Sequence, residues 1–323
     1  MTKVVSAVTG EVAADRLATT LMHEHLFVRS PDLDRALPDP EWDEETAVDR
    51  AVAGLERLHA LGVRTVVDLT VLGLGRDVAP VRRVAERSPV QIVVATGYYS
   101  DAALPPALRL RGPGLLVDGS DPLLELFVRD IEQGIEGTGV RAGIIKITSD
   151  AAGITPDLAR VFRAAAMAHQ QTGVPITTHS HAASGGGREQ QRMLTGLGVS
   201  PDRIIIGHSC DTTDLAYLRD LADNGSVLGF DRFGMEHIHS DELRITTLLA
   251  LLDAGYADRI VLSHDAAIYS RVTPPSWRAV HTPNWHMEYL FTTVIPRLRG
   301  EGVDDELLGL MLIDTPRRLL ARA

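Results

Sequence analysis

The chain has 323 residues, 45% of them hydrophobic and 23% charged, which supplies enough apolar material for a sizeable core; an α/β barrel commonly takes about 250 residues or more as one unit. A formal net charge of −11 argues against nucleic acid or an anionic membrane surface as the main partner. The single cysteine, Cys210, excludes an internal disulfide framework, the polar start MTKVVSAVTGEV lacks the apolar core of a signal peptide, and the apolar runs are too short to span a bilayer, so we expect one domain over 1–323 in the cytoplasm.

In chain order, apolar β-rich runs alternate with helical patterns eight times. Strands are predicted at 19–22, 65–70, 91–96, 142–148, 175–179, 203–208, 227–231 and 259–264. Between them, Asp43 caps a helix carrying Val48, Val52, Leu55 and Leu58 at helical spacing, with Gly62 as its stop. Thr155-Pro156 opens another, with Leu158, Val161, Phe162 and Ala165 on one face and Gly173 at its end. Asp211 or Thr212 is expected to start a third, and Ser240 a fourth that reaches Gly255. Strands of continuous hydrophobicity, each followed by a helix, predict a parallel sheet closed as a (β/α)8 TIM barrel. A doubly wound open sheet is the alternative, but GLGRD at Gly73 is too short for a dinucleotide fingerprint and follows the second strand.

In a barrel the chemistry belongs at the C-terminal strand ends, and here they are rich in metal-ligand types. Strand one ends in His23-Glu24-His25, strand five in His179, strand six in His208 and strand eight in His264-Asp265. Residues two apart share a strand face, so His23 and His25 can reach one ion while Glu24 points away. A lone strand-end histidine is more often structural; it is the joint placement that argues for metal. His181, His237 and His239 fall in polar loops, where a solvated ring is the default. His59 and His169 lie in helices, and His281 and His286 in the segment after strand eight.

Strand four, AGIIKITSD, carries Lys146. Of 32 Lys and Arg, only Lys3 and Lys146 are lysine. Burial favours the neutral amine, which forms a Schiff base or takes up carbon dioxide as a carbamate; guanidinium does neither. A buried lysine paired with a carboxylate is the bland alternative.

The order HxH, strand-four Lys, single His on strands five and six, then Asp after strand eight resembles the two-metal amidohydrolase superfamily. MHEHLF, THSHA, IIIGHSCDTTD, GFDRFG and VLSHD together resemble the phosphotriesterase family, most like its phosphotriesterase-like lactonases, over about 8–320. The resemblance implies that His23, His25 and Asp265 hold the more buried ion and His179 and His208 the other. N6-carboxylated Lys146 and a hydroxide would bridge them. It implies two divalent transition-metal ions, zinc first and cobalt, manganese or iron as alternatives, and a homodimer. By the same resemblance Tyr99, rather than Tyr98, and Arg232 face the substrate; chemically, an Asp265 with one oxygen on metal is expected to take a proton on the other as the tetrahedral intermediate collapses.

The expected function is a binuclear-metal hydrolase in which the bridging hydroxide opens lactone rings such as N-acyl-homoserine lactones, a quorum-quenching activity, with promiscuous organophosphate triester hydrolysis. The partner is thus a small lactone or ester, with neither nucleic acid nor membrane. Ile268, Tyr269, Val272, Trp277 and Trp285 are expected to wall the acyl chain. The alternatives are a cyclic-amide hydrolase of the same superfamily and a metal-free Schiff-base aldolase using Lys146.

Overall fold

A computed structural model describes residues 3–322. A two-stranded antiparallel hairpin, β1 (Val4–Ala7) and β2 (Gly10–Ala13), precedes the barrel. The barrel strands are β3 (Thr20–Val28), β4 (Thr65–Asp68), β5 (Gln91–Tyr98), β6 (Ile144–Thr148), β7 (Ile176–His179), β8 (Ile204–Gly207), β9 (Val227–Phe230), β10 (Ile260–Leu262) and β11 (Ala267–Ser270). All are parallel, in the order β10-β9-β8-β7-β6-β5-β4-β3-β11. The ninth strand continues the eighth. Ser263–Ala266 interrupt it but still bond β3, through Asp265 N to His23 O at 3.0 Å and His25 N to Ala266 O at 2.9 Å. These bonds close the predicted (β/α)8 barrel. No helix among the described residues is long and apolar enough to cross a membrane.

Strand alternation separates two cores. Along β6, Ile144 points into the barrel with Met22, Val67, Val93, Ile205 and Val261, while Ile145 and Ile147 meet the outer helices. The N-terminal hairpin and the last helix, Thr315–Leu320, add Val5, Leu319 and Leu320 to the inner core. The hairpin had no counterpart in the predicted elements.

Helix caps follow the sequence in three of the four predicted cases. Asp43 accepts from Thr46 N at 2.9 Å and leads Glu44–Ala60; Thr155 accepts from Leu158 N and Gly173 ends Pro156–Thr172 at φ 74°; Ser240 precedes Asp241–Asp253. The third helix differs. It runs Leu215–Asp223 with Asp214 as its cap, accepting from Tyr217 N at 3.0 Å. Asp211 is not free to cap, because its carboxylate accepts from Arg232 at 2.7 Å and Arg244 at 2.8 Å.

Candidate metal centre

The first strand must be re-phased to aim both its histidines inward. Leu21 packs outside the barrel and Met22 inside, so strict alternation would put His23 outside. The pairing of β3 with β4 shifts by one residue between Leu21 and Glu24, and this bulge turns His23 and His25 to the interior. Glu24 faces the other way, fully buried, accepting from His264 Nδ1 at 2.6 Å and from the backbone N–H of His264 and Ala266 at 3.0 Å each. His264 therefore supports the strand junction and does not enter the site.

The six candidate ligands converge. Donor atoms of His23, His25 and Asp265 lie within 4.8 Å of one another. Asp265 Oδ1 is 3.1 Å from His25 Nε2 and 3.3 Å from His23 Nε2. On the other side, His208 Nε2 is 2.9 Å from His179 Nδ1. Lys146 Nζ, fully buried, lies 3.4 Å from His23 Nε2. Gly97 on β5 (φ 143°) makes room for this part of β6: a Cβ there would meet Lys146 O at 1.8 Å.

Two of the candidates sit where the backbone is strained. His208 (φ 59°) and Asp265 (φ 53°) adopt left-handed conformations at the ends of their strands, at a cost of about 1–2 kcal/mol each. Asp231 holds one of them in place, accepting from His208 N at 2.9 Å and His208 Nδ1 at 3.0 Å with Oδ1. Its Oδ2 accepts from His23 Nδ1 at 2.8 Å. This buried carboxylate thus fixes the ring orientation of two candidate ligands from different sides of the cluster, so that each presents Nε2 to the centre. The sequence marks Asp231 as the end of strand seven and a candidate partner of Arg232, and its place in GFDRFG was the available signal for a larger role. Thr70 Oγ1 at 2.8 Å from His25 Nδ1 and Asp150 Oδ2 at 3.4 Å from His179 Nε2 back two further rings.

The protonation states suit a cation. Burial, then the nearby Lys146 charge, lowers His23; burial lowers His179 and, with Arg232, puts His208 well below the ordinary imidazole value. Burial opposes ionisation of Asp265, but His23, His25, His208 and Arg232 hold it well below the usual carboxylate range. Neutral imidazoles beside an ionised carboxylate are the ligand forms a divalent ion requires. Lys146 is the exception among these donors. Burial drives its amine down to about 8, so the neutral form is accessible near physiological pH.

The pocket above these groups, about 450 Å³, is lined by all six candidate ligands together with Tyr99 and Arg232. Tyr98 is not in this lining and packs against the outer core instead. Gly73 (φ 95°) lets the loop after β4 press on Tyr99, where a Cβ would meet Tyr99 O at 2.1 Å. Burial, then Asp101, pushes the Tyr99 phenol up to about 12, so it stays protonated and can donate. Arg232 donates from Nε to Asp265 Oδ2 at 3.1 Å and from a terminal nitrogen to Asp211 Oδ2 at 2.7 Å. Burial opposes its charge, but Asp265 and Asp211 keep it cationic.

The expected acyl wall is corrected in part. Val272 and Trp285 line the pocket, but Tyr269 is buried with its hydroxyl on Asp39 at 2.7 Å, Ile268 turns to a cavity behind, and Trp277 stacks on His281 at 4.9 Å. Val28, Leu74, Met235 and Ile238 complete the apolar side instead. Of the loop histidines, His237 is at the pocket rim, 5.6 Å from Trp285, while His181 is half-buried.

Residues 3–320 match the phosphotriesterase family model. A phosphotriesterase homology protein of Mycobacterium tuberculosis (strain ATCC 25618 / H37Rv) is 44% identical over 313 residues, covering 97% of this chain and 96% of that protein. An aryldialkylphosphatase of Saccharolobus solfataricus (strain ATCC 35092 / DSM 1617 / JCM 11322 / P2) is 37% identical over 304 residues, 94% of each. The solved structure of the phosphotriesterase from Mycobacterium tuberculosis superposes with a TM-score of 0.96 at 43% identity, covering 98% of both chains. The chain belongs to the phosphotriesterase family and is a metal-dependent hydrolase.

Proposed function

We propose that this hydrolase opens γ- or δ-lactone rings, N-acyl-homoserine lactones among them, with weaker hydrolysis of organophosphate triesters. The observation that carries the reading is the pocket's division into two sides. The candidate ligands at the strand ends are largely buried and form its floor, while Val28, Leu74, Met235, Ile238, Val272 and Trp285, interspersed with Asp101, His237, Ser270 and Thr273, supply an apolar flank whose Ile238 and Val272 are exposed. A lactone head with an acyl tail matches that division better than a compact polar substrate does.

His23, His25 and Asp265 would hold one ion, and His179 and His208 the other, with carboxylated Lys146 between them. Bound there, two divalent ions would acidify a water and polarise the substrate carbonyl, and zinc suits the imidazole-rich donor set first. Tyr99, held protonated, is the donor available to the lactone. Asp265 directs Oδ1 to the histidines and Oδ2 toward Arg232, so Oδ2 is the atom that accepts a proton and returns it to the departing alkoxide. Arg232 steadies that carboxylate and is itself tethered by Asp211.

The test is a panel of lactones, phosphotriesters, cyclic amides and aryl esters with metal-loaded and chelated protein. Lactones with acyl tails should give the highest kcat/KM, lost on chelation. A preference for cyclic amides would replace the lactone reading, and activity indifferent to chelator with borohydride trapping at Lys146 would favour the aldolase.

A further inference from the structure

A second cavity, of about 250 Å³, lies behind the wall of the substrate pocket. It opens between helix Glu44–Ala60 and the segment after β11, and Ala267 and Trp285 line both spaces. Its charge is unusual for a protein of net charge −11, since Arg50, Arg57 and Arg278 contribute to the lining against one carboxylate, Glu288. Glu288 is already used by Arg57, Nε to Oε1 at 2.7 Å.

Arg278 is buried, yet its guanidinium donates only to neutral backbone carbonyls of Thr273, Ala267 and Ile268. Among the described residues no carboxylate pairs with Arg278 or Arg50. Glu41, which acts on Arg278 from a distance, accepts from Ser276 N at 3.0 Å and Ser276 Oγ at 2.6 Å. Burial, then the like charge of Arg50, pushes Arg278 down to about 10. A buried cation without a counter-charge is costly, and an anion in the adjoining space would offset that cost. Apart from Thr282 and His286, the remaining lining is apolar and includes Leu58, Ile268, Ala279, Pro283 and Met287. Its volume falls below the about 300 Å³ at the small end of ligand pockets, which limits the occupant to a short chain.

We infer that this cavity is a binding site for a small carboxylate with a short apolar tail, the carboxylate set on Arg278 and Arg50 and the tail against Leu58, Ile268 and Met287. The site is independent of whatever substrate the metal centre hydrolyses. The Arg278 guanidinium stands 5.7 Å from the Trp285 ring centroid, so occupancy is read by tryptophan fluorescence.

The experiment titrates the metal-loaded protein with octanoate, and with octanol as its neutral counterpart, by fluorescence and calorimetry. Saturable uptake of one octanoate per chain is expected, with octanol much weaker. Arg50→Gln should weaken it about tenfold. Gly54→Leu, which grows toward Ile268 Cδ1 (3.3 Å from a Cβ at this position), should abolish it. Both variants should retain the basal activity, which separates loss of the site from loss of the fold. Arg278 is left in place because it ties down three carbonyls. Absent saturation, equal binding of octanol, or binding unmoved by both variants overturns the inference. So does octanoate that a hydrolysable substrate displaces competitively from Gly54→Leu, because it then sits in the main pocket.

Discussion

The two sides of the substrate pocket are built differently. On the floor, each candidate ligand ring is held by a second group: His23 and His208 by Asp231, His25 by Thr70 and His179 by Asp150. On the flank, Val272 is 79% exposed and Ile238 49%, with no such backing. Held geometry serves chemistry, which tolerates little displacement, whereas the exposed part of the flank, Val272 and Ile238, can change its residues without disturbing the floor. Substitutions on the floor should therefore act on metal and turnover together, and those on the flank on substrate choice alone.

The largest effect is expected at Lys146. Lys146→Ala and Lys146→Arg should each lower kcat/KM by about 1,000-fold or more, roughly 4 kcal/mol, because neither side chain becomes an anionic bridge. Acetate or formate should partly restore the alanine variant and leave the arginine variant inactive; rescue by an amine would instead indicate a Schiff base. Reconstitution of the apo-protein should need bicarbonate as well as metal. Carbamate forms from the neutral amine, whose population grows as pH rises through the Lys146 value of about 8. At fixed dissolved carbon dioxide, reconstitution should thus speed up from pH 6 and level off above about 8.

Asp231→Asn comes next. It keeps the shape but loses the charge that orients two imidazoles, and metal affinity measured by competition with a chelator should fall about 10–100-fold. Unchanged affinity would show that the floor does not depend on its backing groups. Tyr99→Phe should leave metal content intact and slow lactone turnover about tenfold, with a different loss for phosphotriesters. Equal losses on all substrates would make Tyr99 structural. The smallest effect belongs to the flank: Val272→Ala removes two methyl groups and should cost long-chain lactones about threefold in kcat/KM while short-chain ones are unchanged.

Much of the floor was legible in the sequence because alternation and strand ends are local properties. His23, His25, Lys146, His179, His208 and Asp265 lie within or at the ends of predicted strands, and the structure brings all six to one cluster. What was not legible depends on pairing across strands. The β3 bulge is defined only against β4, the dual role of Asp231 needs His23 from the other side of the barrel, and the duty of Asp211 toward Arg232 and Arg244 outweighed its capping propensity. The flank was the least readable part: the segment after Asp265 mixes apolar and polar residues without a regular period, and nothing local distinguishes Val272, which lines the pocket, from Tyr269, which is buried behind it. The N-terminal hairpin is four residues per strand and weakly patterned, too short for periodicity to reveal.

The central claim is that the floor holds two ions bridged through Lys146. Metal analysis of protein purified without chelator, alongside Lys146→Ala and His208→Ala, tests it most directly. The account predicts about two transition-metal ions per wild-type chain, selective loss of one in His208→Ala, and weakened retention of both in Lys146→Ala that acetate improves. A single tightly held ion in the wild type, with the same content in the Lys146→Ala protein, would contradict it.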